Sequence, residues 1–512
     1  MRNRNGRWSA PFVLIATLCL WANFALRLHN IDTLPLFLDE TIVVGESKAI
    51  ASGTFLHHAS FGKFALPYFL LPFQPTYQAA WIIRVSLLIW TCLGFSSGLA
   101  IARRYGGLRA ALVAAALMAF SPMLFFFDRL ALGDTMAHAA VTLWFWSLLQ
   151  LFGRQSPRYS LACVSGILFV VCLLAKATSL LLLPLPLVMA VLMAPWAVSS
   201  RAKVIACVYL TGAILCLPFS IALSSRNLDY FWQYGNFGAS AGTLLSLARL
   251  GRNLSFLLEA LISYHGLAFL AVSAAACLLA GLLKPRIMLS IYAGAIGYCF
   301  AIIWFSDDLL FGRFFIPVLP LYFVGASIAI SALARSIRIR VNLRTGPIIF
   351  ACLALWVYTV SLPFLNALYV DPASADLFRV DKSEYIRNES SGYGVPELAQ
   401  YLVDQTESGQ SYVVGAFIGC ETLRLYLPPP PPQFFLDCPN VLSGDRRAKY
   451  LNSYLPGVAE EVGHVLLVLE TNGFVLKEEL TDIQLTLVAE FSHSGNHSVI
   501  QLFSANKTPP EQ

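Results

Sequence analysis

Long apolar blocks are the feature that most restricts how this chain can fold. About eleven of them approach the roughly 20 mostly apolar residues that a helix needs to cross a bilayer. Only 12% of the residues are charged, whereas a soluble domain carries about 25%. So few charges cannot cover a water-facing surface of this size, and we predict a polytopic α-helical membrane protein. The predicted spans are 9–28, 79–101, 108–126, 133–153, 160–175, 177–195, 203–223, 263–283, 287–305, 313–334 and 347–366.

Two segments near the N-terminus need separate interpretation. The first apolar block follows three arginines, as in a signal peptide, but no A-x-A cleavage pattern comes after it. We therefore predict that it is retained as the first span. Residues 64–73 are apolar but short, and Pro67 and Pro72 interrupt them, so a re-entrant or interfacial segment is expected.

The charges between the blocks predict an orientation. Every second connection is basic and carries no Asp or Glu, and such connections remain in the cytoplasm. These basic residues are Arg2, Arg4 and Arg7; Arg103, Arg104 and Arg109; Arg154 and Arg158; Arg201 and Lys203; Lys284 and Arg286; and Arg335, Arg338, Arg340 and Arg344. With an odd number of spans, the C-terminal tail then lies outside. All acidic residues of the membrane domain fall on that outer side.

The tail has a different character from the rest of the chain. Charges return after residue 366, and helical patterns at 395–404 and 421–426 alternate with strand patterns at 411–417, 464–470, 485–491 and 497–503. We therefore predict a membrane domain over residues 1–366, with a first external loop at about 29–78, and an extracytoplasmic α/β domain over 367–512. Cys420 and Cys438, the two cysteines of the tail, could form a disulfide there.

Several charged residues of the outer connections could carry chemistry. Charges near a membrane are costly unless they are solvated, paired or used, and Arg can bind phosphate oxygens with two donors at once. Each of these residues also has a simpler structural explanation. A carboxylate can cap a helix, and a lysine can anchor a helix at the interface. The candidates are Asp39 and Glu40, Lys63, Asp128 and Arg129, Asp134, Lys176 and Arg313.

Taken in order, these short motifs resemble the GT-C superfamily of glycosyltransferases. The closer likeness is to the bacterial branch related to dolichyl-phosphate-mannose protein mannosyltransferases and the lipid A aminoarabinose transferase (glycosyltransferase family 39-like), over about residues 9–334. The matching elements are Leu38-Asp39-Glu40, Gly62-Lys63 with Pro67-Tyr68, Asp128-Arg129 with Asp134, Ala175-Lys176, and Gly312-Arg313-Phe-Phe-Ile-Pro317.

The resemblance implies an inverting transfer of a sugar from a polyprenyl-phosphate carrier to an acceptor hydroxyl on the extracytoplasmic face. Asp39 would be the general base. Glu40 and Asp134 would orient the acceptor or, together with Asp39, hold a divalent cation, the one cofactor that the resemblance leaves open. Lys63, Lys176 and Arg313 would stabilise the departing lipid phosphate. Further substrate-binding candidates are Tyr68, Asp128 and Arg129, and Asp128 competes with Asp134 for the second acidic role.

The implied partners are a polyprenyl-phosphate sugar donor, a lipid, glycan or protein acceptor, and membrane lipid. The implied location is a bacterial inner membrane. No Lys/Arg tract is dense enough for a nucleic-acid arm. Two other functions stay open. A transporter or flippase for a phosphorylated or lipid-linked substrate also uses charges in the membrane, usually near its midplane and with internal repeats. A non-catalytic scaffold would use the tail as its binding module.

Overall fold

A computed structural model of the chain describes most of its residues. They are 10–53, 63–73, 79–224, 247–306, 310–341, 345–388, 391–407, 412–416, 420–428, 434–438, 465–470, 483–491 and 499–507, together with 450, 454, 457 and 458. Gly62, which precedes Lys63 in the second motif of the resemblance, falls outside the described residues.

The chain forms two compact units that are not continuous in sequence. The membrane unit comprises Met1–Ile31, Glu46–Pro72 and Arg84–Val380. The C-terminal unit comprises Asp32–Gly45, Phe73–Ile83 and Asp381–Gln512. Packing thus groups residues 32–45, which hold Asp39 and Glu40, with the tail. The division at residue 366 describes composition along the chain and stays a prediction.

Helices make up the membrane unit, and each of the eleven apolar blocks overlaps one or more of them. The helices before residue 225 are α1 (Ala10–Leu28), α2 (Leu38–Ala51), α3 (Ala65–Leu70), α4 (Ala79–Gly106), α5 (Leu108–Phe120), α6 (Pro122–Asp128), α7 (Gly133–Phe152), α8 (Tyr159–Ala175), a 3-10 helix (Ala177–Leu182), α9 (Leu185–Met193) and α10 (Val198–Ser224). Helix α3 has only 6 residues, too few to span a bilayer.

The later helices continue the bundle. They are α11 (Leu247–His265), α12 (Leu267–Leu283), α13 (Pro285–Phe305), α14 (Leu319–Val341), α15 (Thr345–Trp356) and α16 (Leu362–Val370). Among the described residues, 7 helices are long and apolar enough to cross a membrane, or up to 9 if each bent pair is one span. The two shorter apolar segments, Tyr159–Ala175 and Ala177–Met193, account for the other predicted spans.

Two bends redirect the chain within this unit. Helices α5 and α6 meet at 58°, because Pro122 opens α6 and the Ser121 hydroxyl caps it by accepting from the Leu124 N–H at 3.2 Å. Helices α11 and α12 meet at 109° at Gly266, whose φ of 79° is easily adopted only by glycine. The first bend places Asp128 at the end of α6, shortly before α7 begins.

Among the described helices that are long enough to cross a membrane, α7 is the most enclosed. Its buried residues run from Gly133 to Phe152 with few interruptions, so it contacts protein on all sides. Trp144 stacks on Phe169 of α8 with ring centroids 4.9 Å apart. The ionisable groups of such a helix require partners, since water and lipid headgroups are out of reach.

A five-stranded sheet forms the centre of the C-terminal unit. The strands are β1 (Tyr412–Ala416), β2 (Phe434–Asp437), β3 (Val465–Glu470), β4 (Ile483–Phe491) and β5 (Ile500–Lys507), in the order β2-β1-β3-β5-β4. Strand β1 is parallel to β2 and β3, whereas β5 is antiparallel to β3 and β4. This sheet confirms the predicted α/β fold of the tail.

Two helices of the C-terminal unit, α18 (Val395–Glu407) and α19 (Cys420–Tyr426), pack on this sheet, and the short helix α17 (Arg379–Lys382) precedes them in the sequence. Leu398 and Leu402 of α18 and Leu423 of α19 share one buried core with Val414 and Leu466 of the sheet. The two helices are therefore held by the hydrophobic core of the domain.

Candidate functional site

An ion pair between Asp134 and Lys176 lies at the centre of the candidate site. Asp134 is in the first turn of α7, and Lys176 separates α8 from the following 3-10 helix. The Lys176 ammonium donates to Asp134 Oδ1 and, at 3.2 Å, to the carbonyl oxygen of Arg313. Both side chains are buried, with 8% of Lys176 and 1% of Asp134 exposed. The pair joins three segments that are distant in sequence.

Close packing around Gly133 brings Lys63 to the same place. A Cβ on Gly133 would lie 2.7 Å from the carbonyl oxygen of Ala175 and 3.5 Å from Cγ of Lys63. Glycine is thus the residue that lets α7 begin directly against the Lys63 side chain and the end of α8. Arg313 and Lys63 both lie within electrostatic range of Lys176.

The site therefore has a buried Asp134–Lys176 pair with two further cations, Lys63 and Arg313, near Lys176. The Lys176 ammonium also lies 4.9 Å from the centroid of the Phe314 ring, and Arg313 lies 5.1 Å from that of Phe311. The second oxygen of Asp134 is buried and accepts no hydrogen bond from the described residues. Excess positive charge next to aromatic rings suits a phosphate that is attached to an apolar group.

Tyr68 lies on α3, which begins two residues after Lys63. This helix packs against α7 and α8, and Phe64 at its start contacts Phe219 with ring centroids 5.6 Å apart. Tyr68 itself is half-buried. The short helix predicted as re-entrant or interfacial thus places Lys63 and Tyr68 beside the start of α7.

Asp128 belongs to a second buried network in the membrane unit. Its Oδ2 accepts from Arg27 Nε at 2.7 Å, and its Oδ1 lies 2.6 Å from Nε2 of His138. Arg27 also donates to the Asn23 side chain at 2.7 Å and to backbone carbonyls of α5. Because both Asp128 oxygens are engaged, this network ties α1, α6 and α7 together.

Arg129 extends this second network toward the end of α1. It donates to the Asn30 carbonyl, and its guanidinium lies 5.4 Å from the Phe125 ring centroid and 5.1 Å from that of Tyr369. The sequence prediction missed Arg27 and His138. His138 follows Asp134 by four residues, and Arg27 ends the first span, but neither pattern indicates a partner in another helix.

Asp39 and Glu40 lie in the C-terminal unit, at the start of α2. Glu40 is buried, and its Oε2 accepts from the Phe37 N–H at 2.9 Å while its own N–H donates to the Phe37 carbonyl at 2.9 Å. This reciprocal pair is a capping box in which Phe37 takes the N-cap position. Asp39, the second residue of the helix, is half-buried.

The three acids that the resemblance offers to a divalent cation are Asp39 and Glu40 of the C-terminal unit and Asp134 of the membrane unit. Within the described part of the chain, no group of three or more His, Cys, Asp or Glu side chains could hold a metal ion. Glu40 caps α2, and lysines and an arginine surround Asp134, a setting that favours an anion over a cation. In the C-terminal unit, Cys420 and Cys438 form a disulfide with a Cα–Cα distance of 5.6 Å.

The fold that these helices and the sheet define is the GT-C fold of membrane glycosyltransferases, which confirms the resemblance at the level of fold. A similar structure is that of ArnT from Cupriavidus metallidurans bound to undecaprenyl phosphate. It is 15% identical, the match covers 97% of this chain and 98% of ArnT, and the TM-score is 0.60.

Two structures from Archaeoglobus fulgidus are also similar. The oligosaccharyltransferase AglB in complex with an inhibitory peptide and a dolichol-phosphate is 14% identical, over 90% of this chain and 69% of AglB, with a TM-score of 0.51. The oligosaccharyltransferase complex with Zn and sulfate is 14% identical, over 88% of this chain and 67% of that one, with a TM-score of 0.54. No family model matches the sequence, and no curated protein matches it.

Proposed function

We propose that the protein is an integral membrane glycosyltransferase that moves a sugar from a polyprenyl-phosphate donor to an acceptor hydroxyl on the extracytoplasmic face. The observation that carries this proposal is the gathering of Lys63, Lys176 and Arg313 around Asp134. It occurs in a fold shared with proteins whose structures hold undecaprenyl phosphate or dolichol-phosphate.

The cations act on the leaving group. The bond between the sugar's anomeric carbon and the phosphate oxygen breaks, and the two electrons of that bond stay with the phosphate. The negative charge on the phosphate increases in the transition state. Cations that are already positioned in a low-dielectric site stabilise this charge and so lower the activation barrier. Asp134 holds the Lys176 ammonium in place.

Asp39 acts on the acceptor. The acceptor hydroxyl attacks the anomeric carbon with inversion, and its proton goes to a carboxylate base. Of the two adjacent acids, Glu40 is buried and engaged with the backbone of Phe37, whereas Asp39 keeps part of its surface exposed. We therefore assign the base to Asp39 and a capping role to Glu40.

The remaining candidate residues are assigned either a structural role or a role in substrate binding. Asp128 and Arg129 have contacts that hold helices together, and we assign them a structural role. Tyr68 remains a candidate for substrate contact. The proposal includes a bacterial inner membrane location, an outward-facing C-terminal domain, and lipids, glycans or proteins as acceptors. The resemblance also allows a divalent cation as a cofactor.

The test uses the purified protein in nanodiscs with labelled polyprenyl-phosphate sugars, and it follows release of polyprenyl phosphate. Asp39→Asn should lower turnover by about 10²- to 10⁴-fold, the usual contribution of a positioned base. Asp404→Asn is the matched control, because Asp404 is an exposed acid of the same unit that pairs with Gln400 at 2.7 Å. Full activity of Asp39→Asn would remove the assigned base.

Failure of the wild-type protein to release polyprenyl phosphate from any such donor would oppose the transferase itself. Movement of the intact labelled donor between the leaflets of a vesicle would then support the flippase alternative.

A further inference from the structure

The residues directly before α2 are buried within the C-terminal unit. Leu36 is 0% exposed and Phe37 is 2% exposed. The Phe37 ring packs on Tyr385, with ring centroids 4.6 Å apart. Since Phe37 is the N-cap of α2, whatever fixes Phe37 also fixes the first turn of the helix, where Asp39 lies.

Two residues of the tail hold the backbone of this segment. The Leu36 N–H donates to the hydroxyl of Tyr426 at 2.9 Å. On the carbonyl side of Leu36, a Cβ at Gly392 would lie only 2.3 Å from the Leu36 carbonyl oxygen. Gly392 has a φ of 76°, so any other residue there would meet both backbone strain and a clash.

Tyr426 is itself rigidly placed. It is the last residue of α19, whose residues Cys420, Leu423 and Leu425 are buried. At the other end of this helix, the disulfide joins Cys420 to Cys438, just beyond β2. The helix therefore connects the core of the α/β domain to the Leu36 peptide.

We propose that the C-terminal unit positions Asp39, with Tyr426 and Gly392 as the positioning residues that act through the Leu36–Phe37 backbone. This inference rests on the proposed function, because it takes Asp39 as the base. It gives the tail a part in catalysis that needs no substrate contact. A small displacement of a base from its hydrogen-bonding position lowers the turnover rate more than it weakens substrate binding.

The experiment compares Tyr426→Phe and Gly392→Ala with matched controls in the same unit. Tyr401→Phe removes a hydroxyl that makes no hydrogen bond to the described residues, and the Tyr401 ring packs on Phe491 with ring centroids 5.7 Å apart. Gly457→Ala adds a methyl group at a position where no described residue lies within 4 Å. All variants are checked for an intact disulfide and for a single species in size-exclusion chromatography.

Kinetics separate a positioning role from loss of folded protein. Tyr426→Phe should lower kcat about tenfold and Gly392→Ala by more, while the donor KM and the number of sites that bind polyprenyl phosphate stay at wild-type values. A variant that is only less folded would instead lose binding sites in proportion to its activity.

Hydrogen exchange gives a second readout that does not depend on activity. Peptides covering residues 34–41 should exchange about fivefold to tenfold faster in Tyr426→Phe, because the Leu36 amide loses its acceptor, while peptides from α7 stay unchanged. If Asp39→Asn is inactive but Tyr426→Phe and Gly392→Ala match their controls in kcat and exchange, the positioning inference is wrong and the proposed function stands. If Asp39→Asn is fully active, the proposed function fails first.

Discussion

At the scale of single residues, the proposed function gives the Asp134–Lys176 pair a structural and a chemical role. The pair is almost completely buried, and breaking a buried pair by removing one partner is more costly than replacing both partners. Single and double substitutions of the pair can therefore separate its effect on stability from its effect on activity. The comparison shows whether Lys176 binds phosphate or only neutralises Asp134.

Lys176→Met leaves the Asp134 carboxylate buried without its cation, so the free energy of unfolding should fall by about 3 kcal/mol and turnover should be lost. The double variant Asp134→Leu/Lys176→Met should regain most of the stability but not the turnover, since the leaving phosphate still lacks its cation. The measurements are denaturation in detergent, followed by tryptophan fluorescence, and polyprenyl phosphate release.

The control for these variants is Arg379→Ala. Arg379 pairs with Glu259 at 2.8 Å, but the two side chains are 65% and 39% exposed, so the change in stability should stay below about 1 kcal/mol. Recovery of activity by the double variant would show that Lys176 serves packing alone.

At the scale of the element, the start of α2 shows what adjacent carboxylates can do. The sequence predicts either a helix cap or a catalytic pair at Asp39-Glu40, and the structure shows that Glu40 caps the helix through Phe37. The alternative roles could not be separated from sequence, because a capping box normally has Ser or Thr at the N-cap, and here Phe37 uses only its backbone.

Glu40→Gln and Glu40→Ala should therefore differ. Glutamine keeps a side-chain oxygen that can accept from the Phe37 N–H, so turnover should stay within about twofold of wild type. Alanine removes this acceptor and should destabilise the first turn by about 1 kcal/mol, with a several-fold loss of kcat. The measurement is steady-state kinetics of both variants. Equal, large losses in the two variants would indicate that the Glu40 charge takes part in the chemistry.

At the scale of the whole molecule, the sequence predicted the helical membrane fold and the tail's α/β fold well. Apolar block length and strand periodicity are local properties, and each block overlaps one or more helices. The pairing of Asp128 with Arg27 and the grouping of residues 32–45 with the tail were not predictable. They depend on contacts between positions 101 and more residues apart, about which a single sequence carries no local signal.

The positive-inside pattern predicts opposite locations for the two ends of the chain. A protease-cleavable tag at the C-terminus should be cut in intact spheroplasts, and the same tag at the N-terminus should be cut only after lysis, because the basic connections hold that end in the cytoplasm. Protection of a cytoplasmic marker protein shows that the membrane is sealed. Cleavage of both tags in intact spheroplasts would contradict an odd number of crossings.

The discontinuous C-terminal unit has a consequence for biosynthesis. Residues 32–45 belong with residues 381–512, and ribosomes add roughly 5–20 residues per second. The first loop therefore waits roughly 25 to 90 seconds for the complete domain to which it belongs, with Leu34, Leu36 and Phe37 unburied in the meantime. A chain that stops before the tail would keep this apolar stretch uncovered, which marks it for chaperones and proteases of the compartment that receives the loop.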